Sequence, residues 1–190
     1  SANKKSEFCR QAIFAYRGDV YEGINAYELD KSTLKYLNKH VRILSGLYGL
    51  LRPFDLIEPY RLEMSTKIRI GKKPDLHSYW KDSITTLLGD DLAEDAHPVL
   101  INLASNEYFL AIDKKRLNVP IVSPSFKEAR EGTFKIVSFF AKRARGLMAR
   151  YISENRVDRS DGLLDFDLEG YRFNKKLSVP DVPVFTRASS

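Results

Sequence analysis

Short apolar runs alternate along this chain with longer amphipathic stretches, and that alternation constrains its architecture more than any other feature. A run of about four apolar residues suits a buried strand, whereas apolar positions spaced by 3.6 suit a helix with one buried stripe. The strand-like runs are 41–44, 99–103, 119–122, 134–137, 171–173 and 182–185, and the helix-like stretches are 33–39, 76–88, 106–112 and 139–155. The last is the clearest: Phe140, Ala144, Leu147, Met148, Tyr151 and Ile152 make one apolar stripe, with Lys142, Arg143, Arg145, Arg150 and Arg156 off it. The stripe predicts that Ala144, Leu147, Met148 and Tyr151 are buried and that Arg143 and Arg150 are exposed, because the reverse would enclose unpaired charge. The pattern as a whole is that of a mixed α/β chain, with a central sheet flanked by helices. No repeat or Gly/Ser linker divides it, so residues 1–190 are expected to form a single domain. The acidic stretch 89–98 reads as a surface loop, and Pro53, Pro59 and Pro74 exclude one long helix across 39–74.

Composition narrows the function classes. Hydrophobic residues make up 43%, with eleven Phe and ten Tyr, which is core-forming material and excludes a disordered tail. No run approaches the roughly 18 apolar residues of a membrane helix, so no membrane partner is expected. Residues 1–5 have no apolar stretch of the kind a secretory leader carries. Cys9 is the single cysteine, and His40, His77 and His97 are scattered, so neither a metal site nor a bound cofactor is expected, and a reducing cytoplasm is the expected location. The net charge of +6 is unevenly spread. Residues 39–74 hold eight Lys/Arg against three Asp/Glu, residues 75–113 one against eight, and residues 114–150 ten against two. Two basic blocks around an acidic one fit either a polyanion-binding face or ordinary solvated helix faces.

Four strand-like runs end at serine, namely Ser45, Ser105, Ser123 and Ser138. Ligands of open α/β sheets collect at such strand ends, although a serine there also simply caps a following helix. The densest polar segment spans residues 45–64, SGLYGLLRPFDLIEPYRLEM. Gly46 and Gly49 allow a tight turn with backbone N–H groups free for an anion, and Arg52 and Arg61 suit phosphate or nucleobase recognition. Tyr48, Asp55, Tyr60 and Glu63 add hydroxyls and carboxylates. The alternative is a structural loop whose arginines are neutralised by Asp55, Glu58 and Glu63.

This twenty-residue segment closely resembles the signature of the bacterial YaaA peroxide-stress family. Arg10-Gln11-Ala12-Ile13 with Gly18-Asp19-Val20-Tyr21 is similar to the segment before that signature. Ile101-Asn102-Leu103-Ala104-Ser105-Asn106-Glu107-Tyr108-Phe109 resembles the family's NLAS(D/N)EYF element, and Phe134-Lys135-Ile136 with Ala141–Met148 resembles its final strand and basic helix. The likeness covers nearly all the sequence. Family members are longer and begin with an Ile-Ser-Pro-Ala-Lys-like strand that has no match here, so the sequence is expected to correspond to the C-terminal three-quarters of such a protein. The resemblance implies a YaaA-like fold and a cytoplasmic protein that limits iron-dependent damage under hydrogen peroxide. It also implies binding of double-stranded or distorted DNA through a basic cleft with a helix-hairpin-helix-like element. That element wants Gly-apolar-Gly, and Gly46-Leu47-Tyr48-Gly49 is one residue longer. No ferritin-like Glu-x-x-His pair accompanies the iron connection.

Two functional classes follow, with a purely protein-interaction role as the remaining alternative. In the first the chain binds DNA through phosphate contacts from Arg52, Arg61, Lys72, Lys73, Lys142, Arg143, Arg145 and Arg150, with Tyr48 and Tyr60 placed to stack on an unpaired base. Replacing Lys142, Arg143 and Arg150 by Ala should then weaken binding to all sequences alike. In the second, an enzyme acts on a small nucleotide or nucleobase-like ligand. Glu107, Lys142, Tyr48, Asp55 and Glu63 are its catalytic candidates, and Tyr48, Tyr60, Asn102, Ser105 and Tyr108 line its pocket. This reading expects Arg52, Glu107 and Lys142 in one cleft, with Glu107 and Lys142 paired.

Overall fold

The computed structural model describes residues 7–188; residues 1–5, read above for a leader, lie outside them. Strand β1 (Arg10–Gln11) leads into a helical turn, α1 (Ala12–Ala15), and then α2 (Asp19–Ile24) and α3 (Lys31–His40). Asp30 caps α3 by accepting from the Thr33 amide at 2.8 Å. Strands β2 (Ile43–Ser45) and β3 (Gly49–Leu51) form a hairpin, and β4 (Leu56–Ile57) returns antiparallel to β1. An irregular stretch leads to α4 (Leu76–Ala93), capped by Asp75 through the Ser78 amide at 2.7 Å. Then come β5 (Leu100–Ile101), α5 (Asn106–Phe109), α6 (Lys114–Leu117), β6 (Ile121–Val122), β7 (Ser125–Arg130) and β8 (Thr133–Lys135). The long helix α7 (Ser138–Asn155) precedes β9 (Arg172–Phe173) and β10 (Val184–Arg187).

The chain is mixed α/β, as its pattern predicts. The largest sheet has four strands in the order β8-β7-β10-β9, with β10 parallel to β7 and the other pairs antiparallel. The β1–β4, β2–β3 and parallel β5–β6 pairs form separate ladders, so the strand-end serines do not line one sheet edge. Each strand-like run contains a strand. The acidic stretch expected to be a loop is in part helix: α4 continues to Ala93 because buried Leu88 and half-buried Leu92 extend the apolar face of Ile84 in the cluster with Met64 and Phe109. Strand β7 is the element the apolar runs do not announce. It buries Phe126 and Glu128, and its hairpin to β8 turns through Glu131 (φ 49°) and Gly132 (φ 75°), the left-handed pair that a two-residue loop requires.

Helix α7 lies between two apolar clusters. Ala141, Ala144, Leu147 and Met148 pack with Phe126, Phe166, Tyr171 and Phe185, while Ala149 packs with Ile13, Ile24 and Leu37. Of the predicted stripe, Ala144, Leu147 and Met148 are buried, while Phe140, Tyr151 and Ile152 are half-buried, Tyr151 donating to the Gly162 carbonyl at 3.2 Å. Arg143 and Arg150 depart from the expectation of free exposure. Both are only partly exposed and both are held in ion pairs. Across the other side of α7 runs α2, so close that a Cβ on Gly146 would sit 1.9 Å from the Val20 carbonyl oxygen, and one on Gly23 2.2 Å from that of Arg143.

Candidate functional site

The signature segment folds around Ser45, which is 1% exposed at the end of β2. Its Oγ accepts from the amides of Leu47 (3.2 Å) and Tyr48 (2.9 Å), so the N–H groups expected to be free for an anion are consumed inside the turn. The glycines serve close approach instead. A Cβ on Gly46 would lie 2.4 Å from the Leu62 carbonyl, and one on Gly49 (φ 73°) 2.6 Å from the Trp80 ring, whose Nε1 donates to the Gly46 carbonyl at 2.8 Å. Of the strand-end serines, Ser105 caps α5 by accepting from the Tyr108 amide, while Ser123 accepts from Asn102 Nδ2 at 3.3 Å and Ser138 makes no cap.

A chain of hydroxyls starts at Ser45. Its Oγ lies 2.5 Å from the Tyr60 hydroxyl, which lies 2.6 Å from that of Tyr16. Tyr21 stacks on Tyr16 with ring centroids 5.2 Å apart, and Tyr48 meets Tyr60 edge-on at 5.3 Å. The Tyr48 hydroxyl accepts from the Glu58 amide at 3.1 Å. Tyr108 approaches from α5, its oxygen receiving the Met64 amide, and stands near Tyr60, Tyr16 and Tyr21. Beside it Glu107 Oε1 accepts from the Ser65 amide at 3.0 Å, and the Glu107 carbonyl lies 2.7 Å from His77 Nε2. The signature and the Asn102–Phe109 element therefore meet, with Tyr60, Glu107 and Tyr108 at the junction.

Burial pushes the Tyr16 and Tyr21 hydroxyls well above the ordinary phenol range, and Tyr108 moves the same way for the same reason. Near neutral pH these groups act as neutral hydrogen-bonding groups, not as tyrosinate bases. The sign of the linkage follows. The unfolded phenols ionise near pH 10 and the folded ones do not, so stability is fully present below that pH and falls as pH rises through and beyond it. In a spectrophotometric titration at 295 nm, part of the tyrosine absorbance is expected to appear only together with base-induced unfolding. A smooth titration of all ten tyrosines in the folded protein would contradict this.

The charged candidates separate into paired and free groups. Arg52 ion-pairs with Asp91 at 3.1 Å, beside Arg42, and its amide donates to Asp55 at 2.7 Å. These two arginines hold the Asp91 carboxyl below its usual range. Arg143 is bound by Glu169, Arg150 by Glu154 at 2.9 Å and Glu28 at 3.5 Å, and Lys73 by Asp82 at 3.4 Å. Arg61, Lys72 and Lys142 are exposed with no carboxylate partner among the described residues, as are Lys67 and Arg69. Arg145 is half-buried without a hydrogen-bond partner, and that burial lowers its pKa.

The expected cleft does not assemble around Arg52. Arg52 sits at Asp91 and Glu107 at His77, fourteen residues apart on α4, which is about 21 Å of helix. Nor does an ion pair join Glu107 to Lys142 among the described residues; the Glu107 carboxylate is taken by the Ser65 amide. Asn102 steadies its own loop, accepting from the Ala104 amide at 3.1 Å, and Glu63 is exposed near Tyr108. Tyr16 and Tyr21 were not among the candidates read from the sequence, although Tyr21 ends the Gly18-Asp19-Val20-Tyr21 segment and Tyr16 lies two residues before it. No group of His, Cys, Asp or Glu able to hold a metal ion occurs among the described residues, and none of their helices is long and apolar enough to cross a membrane.

Known proteins resemble this chain over most of its length. The family described as Peroxide stress protein YaaA matches residues 1–177. A UPF0246 protein of Alteromonas mediterranea is 51% identical over 98% of this chain and 75% of its own length. One from Marinomonas is 49% identical over 95% of this chain and 69% of its own, and one from Caulobacter vibrioides 50% over 93% and 69%. With a family match over nearly its whole length, this chain belongs to the YaaA peroxide stress protein family.

Proposed function

We propose that this chain acts in the cytoplasmic response to hydrogen peroxide by binding double-stranded or distorted DNA, limiting iron-dependent damage. Family membership supports the stress role, and one observation carries the DNA reading. The irregular stretch between β4 and α4 presents Arg61, Lys67, Arg69 and Lys72 to solvent, none with a carboxylate partner among the described residues. Unpaired, solvated cations on one extended segment are the groups that release counterions from a phosphate backbone. Lys142 adds a further free cation. Arg143 and Arg150 contribute less, since binding phosphate would first break their carboxylate pairs. In the variant Arg61→Gln/Lys67→Gln/Arg69→Gln/Lys72→Gln, duplex affinity should fall for unrelated sequences alike. The log–log salt slope should flatten by about 0.9 for each phosphate that is no longer neutralised. Unchanged affinity and slope in the folded variant would refute this.

The second reading, a small-ligand site, is favoured by the hydroxyl chain of Ser45, Tyr60 and Tyr16, which phosphate-backbone binding does not require. Its catalytic assignment to Glu107 and Lys142 lacks the pairing that would activate either.

A further inference from the structure

Tyr16 and Tyr60 line an open cavity of about 440 Å³, with Arg10, Arg17, Ile57 and Pro59 among its other walls. That volume lies in the range of small-ligand sites. Hydroxyls hydrogen-bonded in series stand on this wall, and each can turn to donate or to accept. Behind Tyr16, the Tyr21 ring backs the stack, and its hydroxyl has no hydrogen-bond partner among the described residues. Arg10 and Arg17 are exposed and make no ion pair among the described residues. Glu7 and Glu58 also face the cavity, so its charge is balanced and it suits one anionic group better than a polyanion.

We propose that this cavity takes a single nucleoside monophosphate unit. Its base lies against the phenol rings, the polar edge of the base meets the Tyr16–Tyr60 hydroxyls, and its phosphate rests on the Arg10 and Arg17 rim. Aromatic faces accept any base, and a guanidinium grips phosphate bidentately. Two sources supply such a unit: a free nucleotide, or one extruded from a duplex. The second source rests on the DNA-binding reading, and extrusion costs least where a nucleotide is already unpaired.

The test uses deoxyadenosine monophosphate in calorimetry, and a labelled duplex with a one-nucleotide bulge beside its fully paired counterpart in anisotropy. The unmodified chain, Tyr16→Phe, Tyr60→Phe and Arg17→Gln are compared, each checked by thermal melting. Arg17 has no internal partner, so its variant keeps the test valid if a tyrosine variant folds poorly. The expected result is bulged-duplex binding about tenfold tighter than paired, within what one stacked base supplies. That preference should shrink in each variant, through a lost hydroxyl contact in the tyrosine variants and a lost phosphate contact in Arg17→Gln, while paired-duplex affinity and its salt slope stay unchanged. Mononucleotide binding that the variants weaken, without a bulge preference, assigns the unit to a free nucleotide. Equal binding of both duplexes with no mononucleotide binding overturns the inference, as does a preference unmoved by all three variants. Failure of the unmodified chain to bind either duplex refutes the DNA reading instead, and the mononucleotide arm then decides this one.

Discussion

Replacing Arg187 by methionine is expected to destabilise the chain by about 3–5 kcal/mol, the usual cost of removing one partner from a buried ion pair. Glu128 on β7 is 3% exposed, and its two oxygens are satisfied separately, one by the Tyr171 hydroxyl and the other by Arg187 Nε at 2.7 Å. The guanidinium also lies over the rings of Phe140 (4.6 Å) and Tyr171 (4.7 Å), so β7, β10 and α7 meet at this group. Without it a carboxylate is left buried and uncompensated. Urea unfolding should show the loss, and the double variant Glu128→Gln/Arg187→Met should regain part of it. Arg116→Met, which breaks an exposed pair with Asp82, should change stability little. Equal losses from Arg187→Met and Arg116→Met would mean that the buried network does not hold the sheet to the helix.

Gly146→Ala is expected to cost about 3 kcal/mol, at the upper end of what overpacking a core does. The new methyl would meet the backbone of Val20 and Ile24, and backbone cannot swing aside as a side chain can. The two helices would have to separate, loosening the packing of Ile24 against Ala149. Gly89→Ala on α4 is the control. A Cβ there meets nothing within 4 Å, so the better helix former should leave stability unchanged or raise it by about 0.4–1 kcal/mol. Similar melting temperatures for the two variants would contradict the close crossing of α2 and α7.

Much of this fold is legible in the sequence where one element carries its own signal. Helix α7 is such a case, because an apolar stripe fixes both its existence and its buried face. Strand β7 is not, since its buried partner to Phe126 is Glu128, a residue that an apolar pattern counts as polar. The end of α4 is hidden for a related reason. Gly89-Asp90-Asp91 looks like a turn, yet Asp91 is held by Arg42 and Arg52, far away in sequence. The site divides in the same way. Tyr48, Tyr60 and Tyr108 lie in motifs that composition alone marks as polar and aromatic. Tyr16 carries no local motif, Tyr21 closes the Gly18-Asp19-Val20-Tyr21 segment, and both join the cluster only through tertiary packing. The pairing of Arg143 with Glu169 and of Arg150 with Glu28 is likewise a long-range fact. It leaves Lys142 as the exposed free cation of the helix and moves most of the free positive charge to the stretch that holds Arg61, Lys67, Arg69 and Lys72.

Salt-dependent duplex binding tests that displacement of charge most directly when two neutralised variants are compared side by side. Replacing Arg61, Lys67, Arg69 and Lys72 by Gln is expected to lower duplex affinity and flatten the salt slope, while Arg143→Gln/Arg150→Gln leaves the slope close to that of the unmodified chain. A slope abolished in the helix variant and kept in the loop variant would contradict it.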